Sequence, residues 1–255
     1  MLADFCLRLA LGMTACLLLL SPARAARHDA GKALARPAFF RTHLLVVLGL
    51  ACGALLFAPA GAGWPLTAAA GTAAACAFLG SAAWMLERSP GAVGLTGLTG
   101  LALLAAVVLR QAAAGEGWPG LLGALSAAAL LGAATSAMLM GHSYLTAPAL
   151  SLAPLYRLLA VLAAALAVRA ALDGAALGWW ASGHRLAGLA GDALVWLPVR
   201  WGVGLAAPLV LCWMAWQAAR IRSTQSATGI LYVVVVFCFL GELTAQLLQG
   251  SGLTL

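Results

Sequence analysis

The chain opens "MLADFCLRLALGMTACLLLLSPARA" (residues 1–25), and how this segment is taken sets the topology of everything after it. It has the parts of a secretory leader: Arg8, an apolar middle, Pro22 and an A-x-A ending at Ala25. Cleavage would leave "ARHDAGKALARPAFFRTH" (26–43) outside the membrane. That stretch carries Arg27, Lys32, Arg36 and Arg41 against Asp29 alone, and it is the most basic segment of the chain. Basic connections stay in the cytoplasm. The expectation is therefore an uncleaved first helix with its amino end outside, followed by a cytoplasmic link.

The rest of the sequence agrees with a membrane setting. Of 255 residues, 64% are apolar and 8% charged, and the mean hydropathy is +1.02. A soluble domain has roughly 25% charged residues, so this chain has too little charge to cover a water-facing surface. The apolar runs are continuous and rich in Ala and Leu, long enough for the roughly 20 helical residues that cross hydrocarbon. A β-barrel would alternate instead. The expected fold is all-α: a polytopic membrane helical bundle with residues 1–255 as a single membrane unit, in the inner (plasma) membrane.

Eight spans are expected, at about 3–22, 43–60, 65–86, 92–114, 119–142, 154–173, 194–218 and 227–249. Short Gly/Pro/Trp connections separate most of them. "GAGWP" (61–65) and "GEGWP" (115–119) each set a Trp at a membrane interface and a Pro at the next helix start. The link 174–194 is the longest one outside, and a short interfacial helix is expected there. "GLTGLTGLALL" (94–104) and "GALSAAALLGAATSA" (123–137) are small-residue surfaces for close helix packing. One half of the sequence shows no convincing repeat of the other, which counts against an inverted-repeat transporter.

With eight spans both termini fall on the outer, periplasmic side. Nine basic residues then lie inside (Arg24, Arg27, Lys32, Arg36, Arg41, Arg88, Arg157, Arg220, Arg222) and five outside or in outer halves (Arg8, Arg110, Arg169, Arg185, Arg200). The net charge of +7 is thus spread along membrane edges rather than gathered in a tract, which argues against nucleic acid as a partner. The partner expected is the lipid bilayer, with other subunits of a membrane complex as a further possibility. The six cysteines show no metal spacing and sit in apolar runs, so neither a metal site nor disulfides are expected.

Ionisable residues inside spans are costly and raise a functional hypothesis by default. One group gathers near the cytoplasmic face: His43 in "FFRTH" (39–43), His142 and Tyr144 in "GHSYL" (141–145), and Arg157 in "APLYR" (153–157). Imidazole and hydroxyl groups bond quinone carbonyls and move protons, and paired histidines hold haem b. The plain alternative is that these side chains anchor helix ends at the headgroups. A second group lies toward the outer leaflet: Glu242 and, one turn on, Gln246, with Arg110, Arg169 and Arg200 at similar depth in other spans. This pattern suits a proton-linked carboxylate, an arginine-lined anion site, or a structural ion pair. Asp173 and Asp192 bracket the outer link and are expected to be solvated. Glu87 and Arg88 read as charges at a cytoplasmic helix end.

Motifs of soluble enzymes are missing, with no GxSxG, HExxH or glycine loop followed by Lys and Ser/Thr. The single lysine, Lys32, lies in a link, which excludes a retinal Schiff base within a span. Three readings remain. The first is a membrane subunit of a redox, respiratory-type complex that binds quinone or haem. The second is a small-solute or proton-coupled transporter using Glu242 and the arginines. The third is a structural scaffold subunit. A broken helix with a wet cavity at Glu242 would favour transport, and a dry bundle with Glu242 bonded to arginine would favour scaffolding.

Overall fold

A computed structural model describes residues 1–21, 35–59, 61–86, 91–147, 150–183 and 192–250. Within them it holds α1 (Leu2–Leu20), α2 (Pro37–Leu56), α3 (Trp64–Met85), α4 (Gly91–Ala114), α5 (Gly117–Thr146), α6 (Ala153–Gly183), α7 (Asp192–Trp201), a π-helical segment (Gly202–Ala206), α8 (Ala207–Arg220) and α9 (Thr224–Gly250). Eight of these stretches are long and apolar enough to cross a membrane, with α7, the π segment and α8 together making the seventh. No strand occurs among the described residues. The chain is an all-helical, multi-pass membrane protein.

Local chemistry accounts for most boundaries. Pro37 and Pro65 stand in the first turns of α2 and α3, where the missing N–H has no intrahelical partner to lose. The α4–α5 turn needs left-handed backbone at Gly115 (φ 71°) and Gly117 (φ 60°), a conformation only glycine adopts freely. These are the two glycines of "GEGWP". Two helices run further than the sequence suggests. α5 continues to Thr146, so His142 lies inside its last turns rather than at its mouth. α6 continues to Gly183, ten residues past the expected end at 173. "GAALGWWASG" (174–183) is apolar apart from Ser182; its interior glycines cost the helix about 1 kcal/mol each, but no proline interrupts it. The interfacial helix expected over 174–194 is thus, as far as 183, an extension of α6, and 184–191 lie outside the described residues.

Helix contacts fall into two rings. In the first, α1 packs on α2, α2 on α3, α3 on α4 and α4 back on α1. In the second, α5 packs on α6, α6 on α8, α8 on α9 and α9 back on α5. Each ring is an up-and-down four-helix arrangement in the same cyclic order, and each begins from the same face because four crossings return the chain to its start. The seam between them is chiefly α1 against α5. Glycine makes that seam possible. A Cβ on Gly132 would fall 2.0 Å from the backbone of Gly12, and a Cβ on Gly12 would fall 1.7 Å from the carbonyl oxygen of Ala128.

Arg8, near the start of α1, meets Glu242, near the end of α9. The start of α1 and the end of α9 therefore share a face of the bundle, called here the terminal face. Trp64, Trp118 and Trp179 are all strongly exposed at helix ends on this face. The opposite face carries the exposed arginines Arg36, Arg41, Arg157, Arg220 and Arg222.

Candidate functional site

Five charged side chains form one buried chain of contacts below the terminal face. Arg8 Nη1 on α1 donates to Glu242 Oε1 on α9 at 2.5 Å. Arg169 Nη2 on α6 donates to the other oxygen, Oε2, at 3.3 Å. One turn along α6, Asp173 Oδ1 lies 3.5 Å from Arg169 Nε, an ion pair too long for a hydrogen bond. Asp173 Oδ2 accepts from Arg200 Nε on α7 at 2.8 Å, and Arg200 Nη2 lies 2.6 Å from the same oxygen as an ion-pair contact without hydrogen-bond geometry. Arg169 Nη1 is further held by the Gly123 carbonyl at 3.0 Å and the Ser126 hydroxyl at 3.1 Å, both on α5. Arg169, Asp173, Arg200 and Glu242 are at most 1% exposed, and Arg8 is 6% exposed.

The charges alternate, but they do not balance: three guanidinium groups face two carboxylates. Taking an ion out of water costs several kcal/mol even after relaxation, so such a group is a poor way to gain stability. The network also spans the seam. Arg8 belongs to the first ring and the other four residues to the second.

Unpaired polar atoms cluster along the sequence around it. Arg200 Nη1, Trp201 Nε1 and both amide atoms of Gln246 are buried without a hydrogen-bond partner among the described residues. The helix carrying Arg200 is interrupted: Pro198 lies inside α7, and the π segment starts two residues after Arg200. There Gly204 and Gly241 touch backbone to backbone, and a Cβ on Gly241 would fall 2.5 Å from the Cα of Gly204 and 3.2 Å from Arg200 Nη1. Single π turns inside α-helices recur at functional sites.

The site residues expected from the sequence divide clearly. Glu242, Arg169 and Arg200 are brought together. Gln246 is buried one turn from Glu242 on the same helix, with its amide free. Arg110 is not in the network; it is paired with Asp4, its Nε donating to Oδ1 at 2.7 Å and its Nη2 to Oδ2 at 3.3 Å. Sequence reasoning missed two members. Arg8 was expected only as an orienting charge, and Asp173 as a solvated loop residue. The structure corrects the second: α6 extends past 173 and holds Asp173 in the interior at 1% exposure. A spacing signal was present, since Arg169 and Asp173 stand four apart on one helix face.

At the opposite face each expected residue has its own local partner. His43 is buried, with Nδ1 2.8 Å from the Phe39 carbonyl and the Phe39 ring at 3.8 Å. A carbonyl only accepts, so Nδ1 carries the proton and Nε2 is left as a buried, unpartnered lone pair. His142 is exposed, and its Nδ1 lies 3.4 Å from Tyr232 Oη on α9. Tyr144 is buried and donates to the Ser151 carbonyl at 2.7 Å. Arg157 is exposed. No hydrogen bond or ion pair joins any two of these four. "GHSY" (141–144) thus has a packing explanation. A Cβ on Gly141 would fall 2.8 Å from Thr228 Oγ1, so the glycine lets α5 meet α9 closely. Tyr144 ties the end of α5 to the turn into α6.

Glu87, Arg88 and Arg185 lie outside the described residues, as does the side chain of Asp192. No group of three or more His, Cys, Asp or Glu side chains suited to a metal occurs among the described residues. No protein-family model matches the chain, and comparison with curated proteins and with solved structures finds no match either.

Proposed function

We propose that the protein is a proton-coupled transporter of a small solute, with Glu242 as its proton-accepting group and Arg8, Arg169, Asp173 and Arg200 as the charges that respond to it. One observation carries the reading: an unbalanced, fully buried charge network sits at the seam between two like-ordered four-helix rings, beside a π-interrupted helix. Transporters built from repeats place their ion and substrate sites at the repeat interface, next to broken helices. Rings of four spans each correspond to the parallel kind of repeat, in which both halves point the same way.

The chemistry follows from the bonds. Ionised Glu242 holds α1 through Arg8 and α6 through Arg169. A proton on Glu242 removes the negative charge from both pairs and raises the network's excess from one positive charge to two. Arg169 keeps Asp173, the Gly123 carbonyl and Ser126, whereas Arg8 loses its partner, so the seam is the contact that loosens. A growing positive excess makes a small anion the class of solute that would neutralise the site. The five exposed arginines of the opposite face support reading that face as cytoplasmic by the positive-inside rule, with the terminal face, and Glu242, toward the outside.

A second reading, a structural subunit of a membrane complex, draws on the features expected of a scaffold: both Glu242 oxygens are bonded to arginine, Glu242 is fully buried, and neither of the two small crevices near the terminal face is lined by it. The interrupted helix beside the network is the feature on the transport side. A cofactor role draws on His43 alone, through its free Nε2.

Reconstituted vesicles separate transport from scaffolding. The protein is placed in liposomes with an internal pH dye, and an inward gradient of chloride, phosphate or sulfate is applied at clamped potential, so that a proton entering with the anion is read whether or not the pair carries net charge. The expected result is acidification about tenfold faster than in protein-free liposomes, a factor equal to ~1.4 kcal/mol in barrier. Glu242→Gln abolishes it, and so does the double variant Arg8→Gln/Glu242→Gln, which keeps the net charge and guards against misfolding of the single one. A wild-type rate equal to that of protein-free liposomes rejects the proposal.

A further inference from the structure

Two crevices open near the terminal face, each with about 10 Å³ of room, roughly the space of one water. One is lined by Asp4, Leu7, Arg8, Val107, Arg110, Gln111 and Ala124, and so lies between α1, α4 and α5. The other lies between α1, α2, α3 and α4, with Ala3, Leu7, Ala54 and Leu66 among its walls. Leu7 and Arg110 line both. The Arg110 and Leu7 side chains are therefore the partition, and of the two only Arg110 is held by polar bonds, its two hydrogen bonds to Asp4. The first crevice ends on Arg8, the residue that grips Glu242.

We propose that water and protons reach the buried network from the terminal face through the crevice between α1, α4 and α5, and that the Arg110–Asp4 ion pair is the door that closes it. If Arg110 swings away, the two small crevices merge into one vestibule with Arg8 at its floor. Asp4 then keeps only the Met1 ammonium, 3.3 Å from its Oδ2, and stands one turn from Arg8 on the same face of α1, where residues four apart meet. It can take over the guanidinium that a protonated Glu242 releases. The door and the site are thus coupled by one exchange: Arg110–Asp4 and Arg8–Glu242 give way to Asp4–Arg8. Partial exposure suits a moving contact, with the side chain of Arg110 29% exposed and that of Asp4 16%, against 0% for Glu242. The purpose of the door rests on the transport reading, but its existence is tested without any transport.

The test measures access. Two single-cysteine proteins are put into vesicles and labelled with a membrane-impermeant maleimide: one has Ala124→Cys with the native cysteines replaced, and the other keeps only the native Cys238, which is buried on α9. Ala124 lines the first crevice and is 1% exposed, so labelling there is slow in the closed bundle. Asp4→Asn or Arg110→Gln is expected to speed labelling at Ala124→Cys by about tenfold, the factor that follows when the closed state loses ~1.4 kcal/mol. Cys238 keeps its rate, and exchanging the charges (Asp4→Arg with Arg110→Asp) restores slow labelling at Ala124→Cys. An unchanged rate at Ala124→Cys overturns the door, and so does an equal rise at Cys238, which would mean a loosened bundle. If labelling behaves as expected while vesicles show no proton movement, the door stands and the transport reading falls. If Glu242 variants lose proton movement while labelling is unaltered, only the door falls.

Discussion

Glu242 is the residue on which the account turns, because both of its oxygens are held by arginine within an apolar interior. Its membership, with Arg169 and Arg200, was legible in the sequence for a simple reason: an ionisable group inside an apolar run is too costly to be accidental. Arg8 was hidden because a lone arginine near the amino end also orients a first helix. Asp173 was hidden because Gly174 and the tryptophans after it resemble a link, although an apolar stretch suits a helix as well. At the other face the sequence signal misled by emphasis. His142 and Tyr144 stand two apart in one motif, yet one is exposed and the other is bonded to a turn. This predicts a contrast. Tyr144→Phe loses the bond to the Ser151 carbonyl and costs about 1 kcal/mol, seen as a lower thermal midpoint in detergent, whereas His142→Ala lies within about 0.5 kcal/mol of wild type, as surface substitutions do.

At the scale of elements, existence and number were readable and ends were not. Eight apolar runs give eight spans, since bilayer thickness fixes the length. α5 and α6 overrun their expected ends because no proline stops them where hydropathy falls, and α6 runs through Gly174 and Gly178 instead of capping there. The order of contacts was not readable at all. The two rings repeat a pattern of neighbours rather than of residues, so comparing one half of the sequence with the other reveals nothing. The seam does leave one trace, glycine. Gly132→Leu would drive its side chain into the backbone of Gly12 and is expected to cost about 3 kcal/mol or more, or to prevent folding. Gly49 on α2 has nothing within 4 Å of a built Cβ, so Gly49→Ala is expected to raise stability by about 0.5–1 kcal/mol. Thermal unfolding in detergent reads both, and equal effects would show that the seam is not tightly packed at Gly132.

For the whole molecule, charge is sorted by depth and by face. Among the described residues, exposed arginines crowd one face, while those near the other are drawn onto carboxylates. A bundle held together only by packing has no need of five ions in its interior, and apolar residues of like volume would hold it as well. The network therefore has to be judged by whether it changes charge. Infrared difference spectroscopy on the reconstituted protein answers this through the stretching band of a protonated carboxyl group. The account predicts that such a band grows as the terminal face is acidified and is missing from Glu242→Gln. A wild-type spectrum without that band, over the full range in which the bundle stays folded, would mean that Glu242 is a fixed ion, and the proposed proton-coupled cycle would be contradicted.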